Sequence, residues 1–202
     1  MSKITNTGVF IVEGSAAAAD VAGSSQIWTK SETPSALYHT DDAGNDHRLG
    51  ITQTSATAVS SGTTVEFTGI PSGVKQVTMN MATISTTGTA NIQVQLGHGS
   101  TTFVTTGYVS SGSDYAGSAA STTGFIIYGA SAGQSRSGPM NFYLMDSATN
   151  TWTLNGTIEY PGLGITCTGI VSLAAPLSAV RLITTDAFDS TPAAGKVSVQ
   201  YQ

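Results

Sequence analysis

Polar and apolar residues alternate strictly through Asn91-Ile92-Gln93-Val94-Gln95-Leu96, the two-residue period of a strand with one face in a core and one in water. Gln26-Ile27-Trp28-Thr29-Lys30 alternates in the same way, and the pattern resumes in Ala36-Leu37-Tyr38-His39-Thr40. Between them Glu32-Thr33-Pro34-Ser35 reads as a turn, with Pro34 suited to its second position. Asp41-Asp42-Ala43-Gly44-Asn45 turns the chain again before His47-Arg48-Leu49. The stretch 24–50 is therefore a compact β-hairpin module, too poor in aliphatic residues to be stable without support. Ahead of it lie a short strand candidate at 8–12 and an alanine-rich patch at 16–22, the one helix candidate, too short to stand alone.

Residues 51–62 form a polar, low-complexity connection. Beyond it, strand candidates recur at 64–68, 74–84, 90–96, 102–109, 123–128, 140–145, 151–160, 165–173, 179–184 and 196–202, separated by Gly, Ser and Asn clusters. Phe125-Ile126-Ile127-Tyr128 is apolar without a break, as in a strand buried on both faces or covered by a neighbouring chain. Regular short strands without helices between them predict an all-β fold. The expected organisation is an N-terminal β-hairpin module at 1–50, a linker at 51–62, and at 63–202 an antiparallel, jelly-roll-like β-sandwich or a barrel. No repeat of fixed period is present.

Composition strengthens the β reading. Of 202 residues 31 are Thr, 25 Ser and 23 Gly, while charged residues make up only 9%. Threonine fits a half-buried pleated surface, and Ser and Gly supply turns. Seven Lys and Arg against twelve Asp and Glu leave a net charge of −5. The cations stand singly, so no basic run exists to neutralise phosphates or an anionic membrane. The apolar stretch 9–12 stops at Glu13, and no stretch approaches the length of a membrane span. The single cysteine, Cys167, lies in an apolar run and reads as a small buried hydrophobe.

Candidate chemistry is sparse. Gly129-Ala130-Ser131-Ala132-Gly133 satisfies the pattern of a hydrolase nucleophile elbow, but Gln134-Ser135-Arg136-Ser137-Gly138-Pro139 does not make the helix that an elbow needs. His39, Asp41, Asp42, Asp46 and His47 cluster without the spacing of an EF-hand or a zinc motif, and Asp with Gly favours tight turns. Glu66, Asp114, Asp146, Glu159, Asp186 and Asp189 are scattered, with no spacing that picks out an acid–base pair. Asn155-Gly156-Thr157 reads as a hairpin turn. Tyr108 and Tyr115 flank a Ser/Gly loop at 110–114 that holds Asp114; sugars could stack there on exposed rings, or the rings could cap the core at a sheet edge. No catalytic residue, metal or cofactor is expected, and the chain reads as a non-enzyme.

Several blocks, in order, resemble a known family. Phe10-Ile11-Val12-Glu13, Ala17-Ala18-Ala19-Asp20-Val21-Ala22-Gly23, Gln26-Ile27-Trp28-Thr29-Lys30, Thr33-Pro34, Leu37-Tyr38 and Thr40-Asp41-Asp42-Ala43-Gly44 resemble a module of tail-fibre and related structural proteins of tailed bacteriophages, particularly marine ones. Phe67-Thr68-Gly69-Ile70-Pro71-Ser72-Gly73-Val74-Lys75, Val94-Gln95-Leu96-Gly97 and the C-terminal Arg181-Leu182-Ile183-Thr184 and Gly195-Lys196-Val197-Ser198-Val199-Gln200-Tyr201 resemble the β-sandwich that often follows it. Thr29 stands where a valine is usual, and Ser24-Ser25 where a glycine and an aromatic are common.

The resemblance implies a virion structural protein of the tail-fibre or appendage type, made in the host cytoplasm and exposed on the particle. It implies a homotrimer in which Trp28, Pro34, Tyr38, Asp41 and Asp42 belong to the attachment module, with other virion proteins as partners. A host-surface glycan or protein would be bound by the sandwich; nucleic acid and membrane insertion are not expected. A capsid decoration or head-fibre protein is the second reading. A polysaccharide depolymerase is the third, and requires a carboxylate pair assembled by folding.

Overall fold

A computed structural model describes residues 13–14, 25–31, 36–41, 44, 46–99, 102–129, 131–190 and 195–202. The chain forms two compact units, 1–51 and 52–201, with Gln202 grouped with the first. The strand candidate at 8–12, the helix candidate at 16–22, the turn around Pro34, and Asp42 lie outside the described residues.

In the first unit β1 (Glu13–Gly14), β2 (Gln26–Lys30), β3 (Ala36–Thr40) and β4 (Asp46–Leu49) form one sheet in that order. β1 runs parallel to β2; the other pairings are antiparallel. The register sets Trp28 opposite Tyr38, and their rings stack with centroids 5.2 Å apart and planes 28° apart. The Trp28 indole N–H donates to Thr40 Oγ1 at 2.8 Å, and that hydroxyl donates to Asp46 Oδ1 at 2.6 Å. This chain satisfies the buried indole and ties all three antiparallel strands together. Alternation puts Ile27, Leu37 and Leu49 on the opposite face, where all three are exposed.

The second unit is an antiparallel β-sandwich. Its strands are β5 (Thr52–Gln53), β6 (Thr57–Ala58), β7 (Thr64–Thr68), β8 (Gln76–Ile84), β9 (Ile92–His98), β10 (Thr102–Phe103), β11 (Val109–Ser113), β12 (Ser118–Ser121), β13 (Phe125–Ile127), β14 (Arg136–Asp146), β15 (Thr151–Tyr160), β16 (Leu163–Ser172), β17 (Leu177–Ile183) and β18 (Lys196–Tyr201). The larger sheet runs β12-β11-β16-β15-β14-β8-β18-β5, with β6 also on β18; the smaller runs β10-β9-β17-β7, with β13 also on β9. Period-two patterning turns Val77, Met79, Met140, Phe142, Trp152, Leu154, Ile165 and Cys167 of one sheet onto Val65, Phe67, Ile92, Val94, Leu96, Val180 and Leu182 of the other.

β13 closes one side of the sandwich. It pairs with β9 on one edge, and the residues facing β11 are brought so close that side chains there must be small. A Cβ on Gly112 would lie 2.9 Å from both Ile126 O and Tyr128 N, and one on Gly169 would lie 2.8 Å from Val109 O. In place of a ladder, the Ser110 hydroxyl accepts the Ile126 amide at 3.0 Å and donates to the Thr168 carbonyl at 3.2 Å. Tyr108, Phe125 and Phe142 fill the core beneath, with successive ring centroids 5.0 and 5.5 Å apart. Phe125, Ile126 and Ile127 are thus buried within one chain, the first of the two arrangements that their unbroken apolar run predicts.

Several expectations change. Residues 52–62 are not a free linker: β5 and β6 pair with β18, Thr54 N donates to Val199 O at 2.8 Å, and Val59 is buried. The supposed loop at 110–114 is strand as far as Ser113, within β11, whose small residues answer the close passage of β13. Asn155-Gly156 is not a hairpin turn but mid-strand in β15, opposite Asn141 and Met140 on one side and Thr168 and Cys167 on the other. Gly156 is there for space, since a Cβ would lie 3.2 Å from Pro139 O. Residues 136–139 extend β14, with Pro139 beside a bulge that tolerates its missing N–H. Gln95, expected on a wet face, is 2% exposed: its amide donates to Thr123 O at 2.6 Å and its carbonyl accepts Arg181 Nε at 2.8 Å.

Candidate functional site

The outer face of the larger sheet is built by register. Ser111, Thr168, Asn155, Asn141, Thr78, Gln200 and Gln53 stand in one row across seven neighbouring strands. None carries a charge. Thr78 donates to Asn141 Oδ1 at 2.9 Å and Gln200 donates to Gln53 Oε1 at 3.1 Å, which orients these amides. The next row is Val109, Ile170, Thr153, Tyr143 and Gln76, in which Val109 and Tyr143 are exposed, and Met145 is exposed beyond it. Amides and hydroxyls about 4.8 Å apart from strand to strand, beside an aromatic ring and aliphatic methyls, form a broad neutral surface for many weak contacts.

The three residues singled out around 108–115 part company. Tyr108 is 1% exposed and its hydroxyl accepts the Leu96 amide at 2.8 Å, so its ring is core and offers no platform for a ligand. Desolvation pushes its phenol up to about 12. Asp114 Oδ1 accepts the amides of Ala116 and Gly117 at 2.8 and 2.9 Å, shaping the β11–β12 hairpin. Tyr115, at the tip of that hairpin, is 82% exposed. Of the pair flanking 110–114, only Tyr115 meets solvent.

The other motifs resolve into structure. Residues 131–133 belong to a turn in which Gly133 N donates to Thr86 O at 2.9 Å. Arg136, fully buried, holds this loop: its guanidinium donates to the Gly129 carbonyl and, at 3.1 Å, to that of Gln134, while the Tyr160 ring lies 5.4 Å away. Burial lowers the Arg136 pKa. Asp189 accepts the Ser85 hydroxyl at 2.5 Å and Asp186 accepts the Ala90 amide at 2.6 Å, so both carboxylates serve the loops at that end of the sandwich. Cys167 is buried, and desolvation raises its thiol to about 12. Among the described residues no three His, Cys, Asp or Glu side chains gather as metal ligands would. In the first unit, Trp28 and Tyr38 carry the stacked pair, and the carbonyl of Asp41 accepts the Gly44 amide at 3.1 Å.

At the opposite end of the larger sheet from Tyr115, three connections enclose a crevice of about 110 Å³ that the sequence did not announce. Gly73, Val74 and Lys75 come from the entry to β8; Leu144, Ser147, Asn150 and Trp152 from the β14–β15 hairpin; Pro176 and Leu177 from the entry to β17. Its walls are about half polar and half apolar. The Trp152 ring is 1% exposed, and its indole N–H is sealed without an acceptor. No motif marks these residues, because only the topology brings positions near 75, 150 and 176 together.

No known protein family, curated protein or solved structure matches the chain.

Proposed function

We propose that this chain is a structural protein of a tailed-bacteriophage particle, a tail-fibre or appendage component that contributes to binding the host surface. The observation that carries the reading is the neutral face of the larger sheet, with its row of amides and hydroxyls from Ser111 to Gln53 and the exposed Tyr143 beside it. Such a face suits binding by many weak polar and stacking contacts, made strong by several copies acting together. The separate N-terminal unit and the order of the sequence blocks that resemble phage fibre proteins support the same reading. A decoration protein on the capsid is the second reading, favoured by the exposed Ile27, Leu37 and Leu49, which would be covered against a shell.

Adsorption of particles to host cells in the presence of excess purified chain tests the proposal. Dose-dependent slowing, weakened by Tyr143→Ala, is the expected result. Unchanged adsorption at saturating chain contradicts a host-binding role and leaves the decoration reading.

A further inference from the structure

The crevice at the end of the larger sheet has its own chemistry, independent of where the protein sits on a particle. Three polar side chains line it: Lys75, Ser147 and Asn150. Lys75 and Ser147 are exposed and Asn150 half-buried. None of the three side chains makes a hydrogen bond or ion pair within the described residues. No carboxylate lines the space. The neighbouring Asp146 is already engaged, with Oδ1 accepting the Ala148 amide and Oδ2 the Thr149 hydroxyl, both at 2.8 Å. Those bonds lower its pKa, so its charge stays on the turn.

An uncommitted ammonium, an uncommitted hydroxyl and an uncommitted amide therefore line the same space as Leu144, Trp152 and Leu177. A cation at the mouth of a space whose lining holds no carboxylate favours an anionic ligand, and hydroxyl and amide donors suit carboxylate oxygens. The mixed polar and apolar walls suit a ligand with both kinds of surface behind that carboxylate, as a sugar acid has. The volume of about 110 Å³ lies below the roughly 300 Å³ of an ordinary small-molecule pocket, so it admits one small group or the end of a larger molecule. We propose that this crevice binds a carboxylate, with Lys75 as its ion partner and Ser147 and Asn150 as hydrogen-bond donors. The sealed Trp152 N–H makes no contact in this arrangement, but Trp152 is one of the lining residues and its indole resonance reports on occupancy.

The test is titration of the full chain with sodium glucuronate, sodium acetate and an uncharged methyl glucoside, following the indole resonance of Trp152. A saturable shift with glucuronate, weakened at least tenfold by Lys75→Gln and absent with the glucoside, is the expected result. If acetate binds as tightly as glucuronate, the carboxylate alone is recognised; if glucuronate binds more tightly, the source is an acidic sugar. No saturable shift with either carboxylate overturns the proposal. So does an equal response to the glucoside, or an unchanged affinity in the Lys75→Gln variant. Lys75 is exposed, so this substitution leaves the fold intact, which the remaining amide resonances verify.

Discussion

The hydroxyl of Tyr108 accepts the amide of Leu96 at 2.8 Å, filling a gap in the edge of β9. β13 pairs with β9 at 92–94 and β10 pairs with it at 97–98. Leu96 falls between them; Val104 N serves its carbonyl at 2.9 Å and the tyrosine serves its amide. Tyr108→Phe leaves a buried N–H without an acceptor, and is expected to cost about 1–3 kcal/mol in urea unfolding. A loss below about 0.5 kcal/mol, the range of an ordinary surface substitution, contradicts this role.

Stability is expected to fall in alkali. The buried Tyr108 phenol and Cys167 thiol are both raised to about 12. In the unfolded chain they ionise near 10 and about 8.5. Between those values the folded state holds protons that the unfolded state has released, so their contribution is full below the unfolded values and is lost as pH rises. The slope approaches about 1.4 kcal/mol per pH unit for each group. Urea midpoints from pH 7 to 11 check this. Cys167→Ala removes the part of the slope that begins near pH 8.5, leaving the tyrosine part above about 10. A slope unchanged by that substitution contradicts the assignment.

Two glycines separate space from flexibility. A Cβ on Gly112 meets backbone atoms of Ile126 and Tyr128 at 2.9 Å, whereas one on Gly164 meets only Thr157 Cγ2 at 3.8 Å. Gly112→Ala is expected to destabilise by about 1–3 kcal/mol and Gly164→Ala to stay within about 0.5. Thermal unfolding of the two variants decides. Equal effects contradict the close passage of β13 over β11.

The homotrimer implied by the sequence blocks predicts a solution mass near three times the 20.5 kDa of one chain. Light scattering measures it. A stable monomer contradicts the trimer.

Much of the fold was legible because β-structure writes a period of two. Val77, Met79 and Met81 of β8 alternate inward as patterning predicts, and the burial of Phe125 to Ile127 follows from an unbroken apolar run. The misreadings share one cause. Ser110-Ser111-Gly112-Ser113 and Asn155-Gly156 carry loop-like residues that serve tight packing between neighbouring chain segments, which composition cannot distinguish from turning. Gln95 looks solvated until Arg181 and Thr123, distant in sequence, cover it. The stacked pair Trp28 and Tyr38 was visible as aromatics in alternating strands. The neutral row needs the register of seven strands, and the crevice needs three connections to meet; neither exists in one dimension.

The proposed place of the protein on a phage particle is tested most directly by antibody-gold electron microscopy of purified particles. Label on the tail or its appendages is the predicted result. Absence of label from intact particles, with the same antibody detecting the free protein in the lysate, would contradict the account.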